Sequence, residues 1–201
     1  TGFKLIARQI RLNEGVKKYI GGGEESYGFL AEDFVRDKDA VSACSLLAEI
    51  CAWAKDQHKT LYDVLMDIYK EYGCSYNKTV NVVKPGKSGA DEIKAMMDHF
   101  HASHLKELAG SPIVEIKDYK KLQIFDAKGH VQPLDMPEPS NVIQWFAQDG
   151  TKVSVRPSGT EPKIKFYIEV MGEMKHASDY EAASQLAEKK VEAIKKSIGL
   201  D

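Results

Sequence analysis

The chain has few cysteines, no long apolar run and no surplus of either charge, and each shortage removes a class of function. Its three cysteines, Cys44, Cys51 and Cys74, are odd in number. They lack the short paired spacing of zinc or redox sites, which argues against a disulfide framework and fits reduced cytoplasm. No apolar stretch approaches the roughly 20 residues of a membrane span, and no secretory segment is expected at the start. Against 30 Asp and Glu stand 28 Lys and Arg, interspersed, for a formal net charge of -2 at pH 7. That balance leaves no electrostatic footprint, so neither nucleic acid nor a membrane is an expected partner.

Metal-binding patterns are equally thin. His99, His101 and His104 are dense in sequence, but 99 and 101 face different sides of a helix and no acid is placed with them, so solvated histidines are expected. Asp37 and Asp39 flank Lys38 just before an apolar helical pattern, which fits capping charges better than a magnesium site. Cys44 and Cys51 share a helical face with Leu47 and Ala54, which predicts buried packing.

What the chain does have is the octapeptide Arg156-Pro157-Ser158-Gly159-Thr160-Glu161-Pro162-Lys163. Arg156 offers a planar fork for phosphate oxygens, Ser158 and Thr160 offer hydroxyls, and Gly159 lets backbone N–H groups turn inward as an anion nest. A bare surface turn would need the same Pro and Gly. The flanks decide between the two. Asp149-Gly150 reads as a hairpin turn, Val153 and Val155 alternate with polar residues, and so do Ile164, Phe166, Ile168 and Val170, so the octapeptide joins two half-buried strands.

A second cluster is Gly21-Gly22-Gly23-Glu24-Glu25-Ser26-Tyr27-Gly28. In an extended segment Glu24 and Ser26 point to one side, and a carboxylate beside a hydroxyl suits vicinal sugar hydroxyls. Taken alone, it reads better as a flexible glycine turn carrying solvated acids.

Periodicity predicts helices over 3–19 and 39–57, the second apolar almost all round and so covered on several faces, with one strand and the glutamate loop over 20–30 between them. Thr60-x-x-Asp63 opens a helix with Leu61, Leu65, Ile68 and Tyr72 on its face before a stop at Gly73. A strand near Thr79 to Val83 leads through Ser88-x-x-Asp91 into a helix reaching Gly110. Strands follow near 113–116, 122–125, 142–147, 151–155 and 164–170, and Ser178-x-x-Glu181 caps a last helix. The expected organisation is 1–74, a truncated alpha/beta domain, and 75–201, with helices on one face of a mainly antiparallel sheet.

Four segments in order, Thr1-Gly2-Phe3-Lys4, Gly23-Glu24-Glu25-Ser26, Arg36-Asp37-Lys38-Asp39 and Arg156-Pro157-Ser158-Gly159-Thr160, resemble the alpha-D-phosphohexomutases, the phosphoglucomutase and phosphomannomutase family. The resemblance implies interconversion of hexose 1-phosphate and hexose 6-phosphate through a phosphoserine and a bisphosphorylated sugar. It implies that Glu24 and Ser26, with Lys4 as a further contact, read the sugar, and that Arg156, Ser158, Gly159 and Thr160 hold the phosphate that is not reacting. It further implies magnesium as cofactor, glucose 1,6-bisphosphate as activator or intermediate, and the N-terminal domains of the same protein as partners. The Glu24-Glu25-Ser26 form is more similar to the glucose and mannose branches than to the glucosamine branch.

The chain departs from the family where the chemistry occurs. The family's catalytic serine loop, of Thr-Ala-Ser-His-Asn-Pro type, and its Asp-Gly-Asp-x-Asp magnesium loop have no counterpart in these residues. Ala102-Ser103-His104 imitates the first, but it falls inside a helical pattern of Ile93, Met97, Phe100 and Leu108, so Ser103 is expected to be an ordinary helix residue. The expectation is a C-terminal portion of a longer enzyme, inactive alone, with a free-standing phosphosugar-binding module as the alternative. About four charge-assisted contacts at ~2 kcal/mol each, less at least ~4 kcal/mol for association, leave roughly millimolar affinity for the phosphate clamp.

Overall fold

In the computed structural model residues 2–24, 27–103, 105–159 and 161–200 are described, apart from the side chain of Lys87. The chain divides into two compact units, Thr1–Leu65 and Met66–Asp201.

In the first unit, α1 covers Phe3–Leu12 and ends well before residue 19. The Asn13 amide donates to the Gln9 carbonyl at 2.8 Å and Gly15 takes a φ of 74°, which turns the chain away from the helix axis. Two short strands, β1 (Gly21–Gly23) and β2 (Phe29–Ala31), pair antiparallel where a single strand was expected. Phe3, Ile10 and Leu30 form a small core with Ile6 and Tyr19 against it.

The next helix, α2 (Ala40–Asp56), buries only Ala54 among its residues. The expected covering of its several apolar faces is absent within this unit: Leu47 is 53% and Trp53 54% exposed, and Cys44 and Cys51 are exposed instead of packed. Within this unit β2 lies against the helix. The last helix to start here, α3 (Leu61–Tyr72), has the expected cap, with Asp63 accepting from the Thr60 N–H at 2.8 Å and from its hydroxyl at 2.6 Å. Its buried residue is Met66, while Leu61, Leu65, Ile68 and Tyr72 are exposed.

The second unit is built on an antiparallel sheet. After α3 comes β3 (Cys74–Val83), five residues longer at its start than the apolar alternation suggested. Then follow α4 (Gly86–Ala102), β4 (Glu107–Leu108), β5 (Ser111–Asp118), β6 (Gln123–Asp126), β7 (Val131–Pro133), β8 (Ile143–Ala147), β9 (Lys152–Pro157), β10 (Lys163–Gly172) and α5 (Tyr180–Ser197). The strand order is β3-β10-β9-β8-β5-β6-β7, with β4 paired to β5. Both helices lie on one face, where Ile93, Met97 and Phe100 of α4 and Ala187, Val191 and Ile194 of α5 share a core with Trp145, Val153, Val155 and Phe166. Phe100 packs edge-on to Trp145 and to Phe166, with centroids 5.4 and 5.9 Å apart. The fold is thus α/β plus α+β, as the sequence pattern implied.

Two helix ends differ from expectation. α4 stops at Ala102, and Ser103 is its extended C-cap rather than an interior residue. The Lys121 ammonium donates to the His101 carbonyl at 2.6 Å there, and β4 begins soon after. At the start of α5 the box is formed by His176 and Asp179 around a short 3-10 turn, Ala177–Asp179, rather than by Ser178 and Glu181.

Candidate functional site

Each of the two loops singled out in the sequence is built within its own unit. The first is the tip of the β1–β2 hairpin. The Glu24 N–H donates to the Gly28 carbonyl at 2.8 Å, which closes the tip and raises Glu24 on it. A Cβ on Gly28 would stand 2.7 Å from Glu24 Oε2 and 2.5 Å from Lys38 Cδ, so the carboxylate lies folded over the bare glycine with the Lys38 stem beside it. At Gly21 and Gly22 the space that side chains would fill is taken by the Phe29 ring and the Tyr19 hydroxyl. Ser26 lies outside the described residues. Lys4 is exposed on the first turn of α1.

Asp39, next to this hairpin, caps α2. It accepts from the Val41 and Ser42 N–H groups at 3.1 Å each and from the Ser42 hydroxyl, and that hydroxyl, followed by the two N–H groups, holds its carboxyl below the usual range. Asp37 accepts from the Lys38 N–H at 2.9 Å. Asp39 is therefore the helix cap as expected, whereas Asp37 holds the N–H of Lys38, which lies outside α2, and does not cap the helix.

The second loop joins β9 to β10. The Ser158 N–H donates to the Lys163 carbonyl at 2.8 Å, and the Lys84 N–H donates to the Pro162 carbonyl at 2.9 Å, tying the turn to the end of β3. Arg156 and Ser158 are half-buried at its entrance, and Gly159 is exposed, with nothing within 4 Å of where its Cβ would stand. Arg156, Ser158 and Gly159 are thus brought together in one turn; Thr160 lies outside the described residues. Glu161 pairs with Lys163, whose ammonium holds the Glu161 carboxyl low.

The β3–α4 junction was not singled out in the sequence, although its Lys84-Pro85-Gly86 punctuation was the available signal. α4 begins there without an acid in its first turn or a side-chain cap, so its N-terminal dipole adds positive potential beside the turn.

The histidine cluster resolves differently from its sequence reading. His101 is buried at 6% exposure, not solvated, with Nε2 2.9 Å from Asn141 Oδ1 and Nδ1 3.0 Å from Oδ1 of Asp118, itself 1% exposed. The Nδ1 contact is within hydrogen-bonding distance but poorly directed. Burial alone would raise the Asp118 carboxyl; the Lys121 N–H and His101 outweigh it and hold it low. His104 lies outside the described residues.

Comparison with known proteins follows this geometry. Residues 1–72 match the description phosphoglucomutase/phosphomannomutase, alpha/beta/alpha domain III, and residues 105–193 match phosphoglucomutase/phosphomannomutase, C-terminal domain. The chain belongs to the phosphoglucomutase/phosphomannomutase family. It is 35% identical over 185 residues to a phosphoglucomutase of Staphylococcus haemolyticus, which takes in 92% of this chain and 32% of that protein. A phosphoglucomutase of Staphylococcus aureus strain MRSA252 is 38% identical over 169 residues, 84% of this chain and 30% of that protein. The chain therefore spans about a third of the length of these relatives. A crystal structure of the Paramecium exocytosis-sensitive phosphoprotein pp63/parafusin, a phosphoglucomutase in an open form, shares the fold with a TM-score of 0.55 at 18% identity, covering 99% of this chain and 34% of that one.

Proposed function

We propose that this chain is the sugar- and phosphate-holding portion of a phosphohexomutase that interconverts hexose 1-phosphate and hexose 6-phosphate through a phosphoserine enzyme and a bisphosphorylated sugar. Residues 1–74 then carry the sugar loop and 75–201 the phosphate-binding domain. The observation that carries this reading is the β9–β10 turn, where half-buried Arg156 and Ser158 and the open Gly159 follow one another at the ends of two interior strands. Such a turn holds a phosphate by charge-assisted contacts without itself reacting.

In this reading Glu24 accepts hydrogen bonds from ring hydroxyls, Ser26 assists it, and Lys4 makes a further substrate contact. Arg156, Ser158, Gly159 and Thr160 hold the phosphate that is not being transferred. Because the sugar must turn around between the two half-reactions, the clamp grips whichever phosphate faces it, and the Glu24 carboxylate serves both poses. These residues position the substrate.

Magnesium, when bound, stabilises the charge of the transferring phosphoryl group. Among the described residues no three His, Cys, Asp or Glu side chains stand together as a metal-binding group. The phosphoserine and the magnesium ligands belong to N-terminal domains of the same protein, with glucose 1,6-bisphosphate as intermediate and activator, in the cytoplasm. The portion alone binds phosphorylated hexose and does not turn it over.

The test is a mutase assay of the full-length protein with glucose 1-phosphate and with mannose 1-phosphate. Removing Arg156 and Ser158 together as alanines lowers kcat/KM roughly 1,000-fold, since two charge-assisted contacts of ~2 kcal/mol each are lost. Unchanged kinetics in that double variant overturns the assignment.

A further inference from the structure

The C-terminal sheet ends differently on its two sides. One edge is β7, three residues closing on Pro133, short and proline-blunted as edges commonly are. The other is β3, 10 residues long, without proline and with Lys78 as its single charged side chain. Its whole length pairs with β10, and among the described residues no strand lies on its outer side. Asn77, Lys78, Thr79 and Asn81 are exposed there, and Val83 is 60% exposed.

The ladder fixes which backbone groups face outward. The Lys84 N–H donates to the Pro162 carbonyl, and the Ser158 N–H donates to the Lys163 carbonyl. Hydrogen-bonded pairs alternate along an antiparallel ladder. From the register, Val82, Val80 and Lys78 therefore bond to β10, while the N–H and C=O groups of Asn77, Thr79, Asn81 and Val83 point away from it. On the helix side Tyr76, Val80 and Val82 are only partly buried against the main core, so the core runs out to this edge. Lys78 stands among them, with its ammonium 4.0 Å from Glu188 of α5.

We propose that the outer edge of β3 pairs antiparallel with the same edge of a second copy of this chain, joining two sheets about a twofold axis at Val80. An axis normal to the sheet keeps the helices of both copies on one face and sets Thr79 opposite Asn81, Asn77 opposite Val83, and Val80 opposite its own counterpart. About eight backbone hydrogen bonds then cross the seam, and the paired Val80 side chains close the gap between the two cores. Lys78 comes opposite Val82, so no like charges meet; a pairing centred on Asn81 would set Lys78 against Lys84. The occupant is a second copy because the edge matches itself in this way, whereas its single lysine offers little for a charged foreign segment to select.

The experiment is sedimentation equilibrium of the chain over a range of concentrations, with amide hydrogen exchange read in parallel. The molar mass is expected to rise from the 22.4 kDa of one chain to twice that. Over the same range the outward amides of Thr79 and Asn81 become protected, while those of Val80 and Val82 are protected throughout. Thr79→Pro removes an outward N–H without touching the β10 ladder, and Thr79→Lys combined with Asn81→Lys sets ammonium groups opposite one another. Both variants are expected to keep the native circular dichroism and to sediment as one chain. A native chain that stays at 22.4 kDa throughout overturns the proposal. A dimer that survives the double lysine variant overturns it too, because that dimer uses another surface.

Discussion

Asp118 and His101 face each other at 3.0 Å inside the C-terminal unit, and the same carboxylate accepts the N–H groups of Lys120 and Lys121 at 3.0 Å each. One buried acid thus joins the last turn of α4 to the tight turn after β5. Asp118→Ala removes the acceptor of both turn N–H groups and the carboxylate beside the buried imidazole, and is expected to cost about 3 kcal/mol, read from the midpoint of urea unfolding.

The pH dependence of that contribution has a definite sign. The folded Asp118 carboxyl titrates below its unfolded value of about 3.9, so its stabilisation is complete above the unfolded pKa and fades as pH falls through the folded one. The stability difference between native chain and Asp118→Ala is expected to be constant from pH 7 to about 5 and to shrink below pH 4. A difference that grows on acidification contradicts the assignment.

Asp149 behaves in the same direction with another partner. Partial burial pushes its carboxyl up, but the Lys190 ammonium at 2.5 Å and the Thr151 N–H at 3.0 Å together bring it down to about 2. Because both side chains are partly solvated, Lys190→Met is expected to cost about 1 kcal/mol or less at pH 7 and progressively less as pH falls from about 4 through 2, measured as a shift in thermal midpoint.

Two glycines separate folding from recognition. A Cβ at Gly89 would stand 1.9 Å from the Lys84 carbonyl oxygen, which is backbone and cannot step aside, so Gly89→Ala disrupts the β3–α4 junction and costs ~3 kcal/mol or more. At Gly28 the atoms in the way are the far ends of Lys38 and Glu24, so Gly28→Ala displaces the Glu24 carboxylate at little cost in stability. It is expected to weaken binding of the sugar while leaving inorganic phosphate binding unchanged.

The C-terminal sheet was readable because its strands obey a strict period of two: Ile164, Phe166, Ile168 and Val170 are all buried on the helix side. The same alternation placed the octapeptide 156–163 at the junction of two strands, β9 and β10, and the Thr60 and Asp63 pattern gave the start of α3. The misses are non-local. Nothing near His101 in sequence announces burial, which comes from Asp118 and Asn141, 17 and 40 positions away. The end of α4 was missed because Leu105 and Leu108 continue an apolar pattern that here lines the core from a loop and from β4. The apolar pattern of α2 predicted covering that the first unit does not contain.

The most direct measurement is the amide spectrum of the chain during titration with glucose 6-phosphate. The account predicts saturable shifts at Arg156, Ser158 and Gly159 and at the Gly23–Glu24 tip, with roughly millimolar affinity, and loss of the Arg156-side shifts in Arg156→Gln. Saturable shifts confined to other surfaces, with both loops silent, contradict it.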